Sequence, residues 1–456
     1  MTLNKAPVKG MKDILPAEMA VRDYVVGLIK DTYRSFGFTP IETPCLEHIA
    51  NLTSKQGGEN ESLIFKILKR GEKLSLAGAV TADDLVDSGL RYDLTVSLCR
   101  FYANNQDKLP APFKAMQIGP VWRADRPQKG RFRQFTQCDI DILGDASPLA
   151  EIELLTAAGD LLSRLGFRDF TIRVNHRQLL RAMADYSGFP PDSYDKVFII
   201  LDKIDKIGLA GVASELRAAG FPAAAVDTYI AFFRGRAGEG GGAGESEGDG
   251  GAGLLTACEA KLAAAGAGSD AAYEAGSDGG VSAHAGADGS VGAGAAIQTT
   301  RTILDCAAAV KTGDYRLLFD PTLVRGMGYY TGPIFEISVR EFGSSVGGGG
   351  RYDQLVSSFT NLRVPACGFS IGFERVVAIL LEQGFQAPAA GRKIAFLAEK
   401  GLSGAELSAL LREAGQARQA GATVLVAAKN KNSKFQREQL QKEGYGEFRN
   451  FHRENQ

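Results

Sequence analysis

The chain has 456 residues, a net charge of −1, and a composition that is 45% hydrophobic and 23% charged. Such a length exceeds what one core organises, so about two or three domains are expected. No apolar run approaches the roughly 18 residues that span a membrane, and a near-neutral chain can hold a polyanion only through local basic patches.

The N-terminal stretch "MTLNKAPVKGMKDILPAEM" has no apolar signal-peptide core, which argues against secretion. Six cysteines (Cys45, Cys99, Cys138, Cys258, Cys306 and Cys367) are scattered without a CxxC pair, a pattern that suits reduced thiols in a cytoplasm. The four histidines, His48, His176, His284 and His452, are far apart in sequence, so no metal site or Ser/His/Asp triad is expected. Residues 19–36 set Val21, Tyr24, Val25, Leu28, Ile29 and Tyr33 at helical spacing, with Gly37 as the stop. "FTPIETP" then reads as a short strand broken by prolines. "LRYDLTVSLCR" at 90–100 places Asp93 and Thr95 within an otherwise apolar pattern.

Residues 112–144 predict an antiparallel hairpin with "DRPQKG" at its tip. Alternation would set Arg131, Arg133 and Phe135 on one face, continued by Gln137, Asp139 and Asp141. Arginines leading into carboxylates suit a ligand with phosphate at one end and donors at the other, since Arg grips phosphate oxygens bidentately. An exposed hairpin laced with salt bridges is the alternative. "SPLAEIELLTAAGDLLSRLG" predicts a helix started by Ser147 and Pro148 and ended by Gly166. A strand at 167–175 and helical pieces to about residue 221 follow.

Residues 236–295 are rich in Gly, Ala, Ser and Asp, too poor in apolar surface to offset ordering entropy, and read as a disordered insertion. "LLTACEAKLAAA" at 254–265 is the exception, a short helix. Strand-like segments return at 315–357. There "SVGGGGRYD" at 345–353 lacks the Lys-Ser/Thr of a P-loop. Its glycines would either let a flat ligand lie on bare backbone, with Tyr352 and Asp353 at the rim, or form a tight turn. "CGFSIGFERVVAILLEQG" runs a glycine-punctuated strand into a helix, with Arg375 at the junction, an arrangement that favours anions. From Arg392 a strand–helix alternation predicts a small α/β unit with parallel strands. Its basic stretch "KNKNSKFQREQLQK" is equally readable as a solvated face or as a polyanion contact.

Together these segments resemble the histidyl-tRNA synthetase family of class II aminoacyl-tRNA synthetases. "GFTPIETP" is similar to motif 1, "VWRADRPQKGRFRQF" to motif 2 and "GFSIGFERVV" to motif 3, while "RGMGYYTG", "RYDLT" and "GGRYD" match segments of the histidine enzyme. The resemblance implies an α+β class: an antiparallel catalytic sheet flanked by helices, with a small C-terminal α/β domain. It divides the chain into a first catalytic part (1–170), an insertion region (171–313), a second catalytic part (314–390) and a shortened anticodon-binding-like domain (391–456). It also implies histidine activation by ATP with Mg²⁺, transfer to tRNA(His), a homodimer, no membrane association and no tightly bound organic cofactor.

The residues carried over are Arg123 and Arg325 as catalytic cations. Arg123, Asp125, Arg131 and Arg375 are expected at ATP. Asp93, Thr95, Arg123, Gln137, Asp141, Arg325, Tyr329, Tyr330 and Tyr352 are expected at histidine. The family usually has an acidic residue in place of Gly328, Glu in place of Asp125 and Asp141, and Phe in place of Trp122. A synthetase-like regulatory subunit of histidine biosynthesis, which binds without charging tRNA, is the alternative the resemblance leaves.

Overall fold

The computed structural model describes residues 3–53, 61–76, 81–127, 130–234, 251–264, 292–325, 330–339, 344–360, 362–388 and 391–453. In chain order the strands are β1 (Thr39–Pro40), β2 (Leu46–His48), β3 (Lys66–Leu68), β4 (Val86–Leu90), β5 (Phe113–Trp122), β6 (Gln134–Leu143) and β7 (Phe170–His176). They continue as β8 (Tyr315–Phe319), β9 (Pro333–Val339), β10 (Ser344–Arg351), β11 (Ala366–Ile371), β12 (Lys393–Ala398), β13 (Thr423–Ala428) and β14 (Glu447–Phe451). Contacts divide the chain into two units, residues 1–13 with 25–380, and residues 14–24 with 381–456.

In the larger unit the described residues form an eight-stranded sheet in the order β1-β5-β6-β11-β10-β9-β7-β8. The pairs from β5 to β7 are antiparallel, while β1 and β8 join the two edges in parallel. One row of directly opposed residues crosses six strands: Gln117, Asp139, Ser370, Gly348, Glu336 and Arg173. Opposed residues share a face, so one side of the sheet centre is polar and glycine-lined. Its apolar support includes Leu98, Cys99, Phe113, Ala115, Leu143, Val356 and Ala366. The helix Leu149–Arg164 buries Leu154, Leu155, Ala158, Leu161 and Leu162 at helical spacing, and packs against the helix Ala293–Val310. Gly166, at φ 89°, turns the chain where a side chain would be strained.

Four sequence expectations change here. The hairpin strand begins at Gln134, so Arg131 and Arg133 belong to the loop and not to the strand face. That loop is held by its own contacts: Arg131 grips Asp125 through Nε at 3.0 Å and Nη2 at 2.9 Å, and Arg133 donates to the Asp125 carbonyl at 3.1 Å. The glycine run is a central strand and not a turn, because β9 and β11 pair along both its edges. Asp353 is not at a ligand rim: it starts the helix Asp353–Ser357 and accepts from the Ala366 backbone amide at 2.8 Å. Within the Gly/Ala-rich segment the helix spans Ala252–Ala264, and residues 293–295 already belong to the helix that follows. The disorder expected for most of 236–295 falls on residues 236–250 and 265–291, outside those described.

In the smaller unit, β12 lies between β13 and β14, all parallel. Ile394 and Phe396 pack on Leu410, Ala414 and Val424. Ala395 and Leu397 pack on Leu440. Burial on both faces explains why "KIAFLA" reads as a continuous apolar run. Ser403 and Glu406 form a reciprocal capping box at the helix Gly404–Gln419.

Candidate active site

The pattern Gln137, Asp139, Asp141 on β6 aims three polar side chains from a sheet face that burial would otherwise leave apolar. They line a cavity of about 350 Å³, counted to its mouth, with Asp93, Thr95, Arg123, Tyr330, Gly348, Tyr352, Gly368, Phe369 and Ser370. Asp93 reaches it from the loop before the helix Thr95–Asn105, where its Oδ1 accepts the Val96 backbone amide at 3.1 Å. Tyr352 donates its hydroxyl to Asp141 Oδ1 at 2.5 Å. A Cβ at Gly368 would fall on that carboxylate and within 3.1 Å of the Tyr352 ring, so only glycine leaves room for the pair.

Asp93, Asp139 and Asp141 are each less than 5% exposed. Burial raises all three carboxyls, and Asp141 is pushed up to about 7 by burial and by Asp93, against the opposing hydrogen bond from Tyr352. Gln137 Oε1, Asp139 Oδ1 and Asp141 Oδ2 have no hydrogen-bond partner among the described residues. Three such acceptors in one buried cavity suit a ligand that brings hydrogen-bond donors.

Cations stand beside these acceptors. The Arg123 guanidinium lies 4.2 Å from the Tyr92 ring centre and 5.2 Å from that of Phe135, and its Nε donates to the Tyr92 carbonyl at 3.2 Å. It follows Trp122, the last residue of β5, whose amide donates to the Arg91 carbonyl at 3.0 Å. Arg325 donates to Glu336 Oε2 at 2.7 Å and to Ser345 Oγ at 2.6 Å. Its guanidinium covers Gly348, where a Cβ would collide with it. Arg375, in the first turn of the helix Phe373–Glu382, donates to the carbonyl of the same Ser345. Burial, then Arg325 and Arg131, hold Arg375 below the usual guanidinium range, so these cations crowd one another.

The structure therefore brings Asp93, Thr95, Arg123, Gln137, Asp141, Tyr330 and Tyr352 to one cavity. Arg325 borders it over Gly348. Asp125, Arg131 and Arg375 are not among its lining residues, and Tyr329 lies outside the described residues. Sequence reasoning did not single out Glu336, Ser345 or Ser370, whose roles depend on cross-strand register. Asp139 lies on the face that alternation predicts, although the resemblance assigns it no role. Among the described residues no cluster of His, Cys, Asp and Glu suits a metal ion, and no helix is long and apolar enough to cross a membrane.

An antiparallel sheet bearing an arginine-rich hairpin loop, a glycine strand at its centre and an arginine at a strand-to-helix junction is the catalytic fold of a class II aminoacyl-tRNA synthetase. A family model described as histidyl-tRNA synthetase matches residues 10–232 and 270–376, and the chain belongs to that family. A histidine–tRNA ligase of Leifsonia xyli subsp. xyli is 46% identical over 379 residues, covering 82% of this chain and 80% of the relative. The crystal structure of histidyl-tRNA synthetase from Nostoc sp. PCC 7120 shares the fold with a TM-score of 0.74 at 24% identity, over 97% of this chain and 90% of that one. A Bacillus halodurans structure described as an ATP phosphoribosyltransferase regulatory subunit/histidyl-tRNA synthetase shares it with a TM-score of 0.71 at 17% identity, over 99% of each chain.

Proposed function

We propose that the acidic cavity and its neighbouring arginines are the site at which this chain activates histidine. The chain is a histidine–tRNA ligase: histidine and ATP give histidyl-adenylate and pyrophosphate, and the histidyl group then passes to tRNA. The observation that carries the site assignment is polarity. Bare acceptors of Gln137, Asp139 and Asp141 stand at one end, and Arg325 and Arg375 meet on Ser345 at the other. Histidine presents donors on its ammonium and imidazole and an anionic carboxylate that must meet the nucleotide's phosphates, which matches that polarity.

In this reading Asp141 and Tyr330 hold the imidazole, with Tyr352 fixing the Asp141 carboxylate; Tyr329, expected at histidine by the resemblance, lies outside the described residues. Asp93, Thr95 and Gln137 hold the α-amino and carboxylate ends. A carboxylate oxygen bonds to the α-phosphorus as the bond to pyrophosphate breaks. Negative charge then gathers on the phosphate oxygens, where preorganised cations lower the barrier. Arg123 and Arg325 serve the α-phosphate, and Arg375, Asp125 and Arg131 serve the rest of the nucleotide. ATP enters as its magnesium complex, the ion neutralising phosphate oxygens. The segment around Pro44 mediates a homodimer, residues 391–456 meet tRNA(His), and six free cysteines suit the cytoplasm.

ATP–pyrophosphate exchange across a panel of amino acids, without tRNA, tests the reading. Exchange dependent on histidine alone is expected. Folded protein that binds histidine yet exchanges with no amino acid would move the assignment to a regulatory subunit.

A further inference from the structure

On β6 the acceptors follow one another from the arginine-bearing loop inward: Gln137 opposite Gly119, Asp139 opposite Gln117, Asp141 opposite Ala115. Successive members of this row are about 7 Å apart along the strand. Asp139 is the middle one, 3% exposed, and it lines the cavity. Ser370, its partner in register on β11, hydrogen-bonds its carboxylate and accepts from Gln137 Nε2 at 3.2 Å. That chain leaves Asp139 Oδ1 and Gln137 Oε1 bare. Neighbouring polar groups are committed elsewhere. Gln117 donates to the Leu94 carbonyl at 3.2 Å and accepts from Thr43 Oγ1 at 3.1 Å. Arg91 donates through Nε and Nη1 to the Pro120 and Thr43 carbonyls, so its charge acts on Asp139 while no hydrogen bond between them is among those described.

A buried carboxylate oxygen without a donor is costly, and the cavity already holds Asp93 and Asp141 against one lining guanidinium, Arg123. The missing element is a cationic donor at the middle of the row. We propose that Asp139 is a further substrate-recognition residue that receives the α-ammonium of the bound amino acid on its Oδ1. This rests on the histidine-activation reading of the cavity. With the imidazole at Asp141 and the carboxylate toward the arginines, the α-carbon falls between them, beside Asp139. A primary amine in that place gives its hydrogens to Asp139 Oδ1 and Gln137 Oε1 together.

The test pairs a residue change with a ligand change. Histidine and imidazolelactate differ only in an ammonium replaced by a hydroxyl. In competition binding, Asp139→Asn is expected to weaken histidine by on the order of 10- to 100-fold, the loss typical of a charge-assisted hydrogen bond. Imidazolelactate should change little, and the KM for ATP should hold. Equal weakening of both ligands, or of neither, would overturn the inference. Should Asp139→Asn not accumulate as folded protein, Asp139→Ser carries the same comparison. Unmodified protein that does not bind histidine would sink the activation-site reading and this inference together.

Discussion

Arg325 illustrates how one side chain is committed before any ligand arrives. Glu336 and Ser345 fix two edges of its guanidinium, and Gly348 gives it a floor without a side chain. A cation held this way needs no reorganisation when phosphate charge develops, so Arg325→Gln should lower the exchange kcat by on the order of 10²- to 10³-fold. Steady-state exchange kinetics check this, and an unchanged kcat would remove Arg325 from the chemistry. Asp141 makes a different commitment. Its folded carboxyl titrates at about 7, against an ordinary value of 3.8. Between those values the folded state holds a proton that the unfolded chain has lost, so stability falls as pH rises through the window and levels off above it. Without histidine, the Tm should fall between about pH 5 and about pH 8, and Asp141→Asn should flatten that fall. Identical slopes for the two proteins would show that Asp141 does not carry the linkage. The row Gln137, Asp139, Asp141 was legible in sequence because period-two alternation is local. Ser370 was not, because its bond to Gln137 spans 233 residues and exists only through the register of β6 with β11.

At the scale of elements, the glycine strand β10 does what its composition alone left open. Its neighbours sit close: a Cβ at Gly348 would meet the Arg325 guanidinium and stand 2.8 Å from the Phe335 carbonyl oxygen. Gly348→Ala should therefore reproduce the activity loss of Arg325→Gln, although it changes no charge. Gly415, inside the helix Gly404–Gln419, has open space around it: a Cβ there would meet nothing within 4 Å. Gly415→Ala should instead stabilise the smaller unit by about 1 kcal/mol. Denaturant melts and exchange assays on the two variants read both effects, and a neutral Gly348→Ala would refute the crowding. The hairpin shows the limit of pattern reading. Alternation extended the strand face back to Arg131, but the Asp125 carboxylate and carbonyl take up the Arg131 and Arg133 side chains, and the Arg133 amide turns to the Gly10 carbonyl while its own carbonyl still accepts from the Arg123 amide.

For the whole molecule, a charge of −1 over 456 residues leaves polyanion contacts to local surfaces. In the smaller unit, Lys431, Lys434 and Lys442 are exposed on and around the helix Ser433–Lys442, with Phe435 exposed among them. Contacts of that kind release counterions on binding tRNA. Transfer of histidine to tRNA should fall steeply with added salt, while exchange without tRNA should fall much less. Parallel salt curves would place tRNA recognition on something other than phosphate contacts. The α/β character of this unit was legible because both faces of β12 are buried, whereas the division of contacts at residues 14–24 carries no signal in composition or spacing.

The chain contains one tryptophan, Trp122, and it stands half-buried at the end of β5, immediately before Arg123. Its emission therefore originates one residue from the cavity-lining Arg123, on the face of β5 opposite the row Gln137, Asp139 and Asp141. Nucleotide drawing Arg123 from between Tyr92 and Phe135 would change the indole's surroundings, so intrinsic fluorescence should shift on addition of ATP and histidine. A shift of that kind would turn the single indole into an optical readout of occupancy, usable in stopped flow without any label.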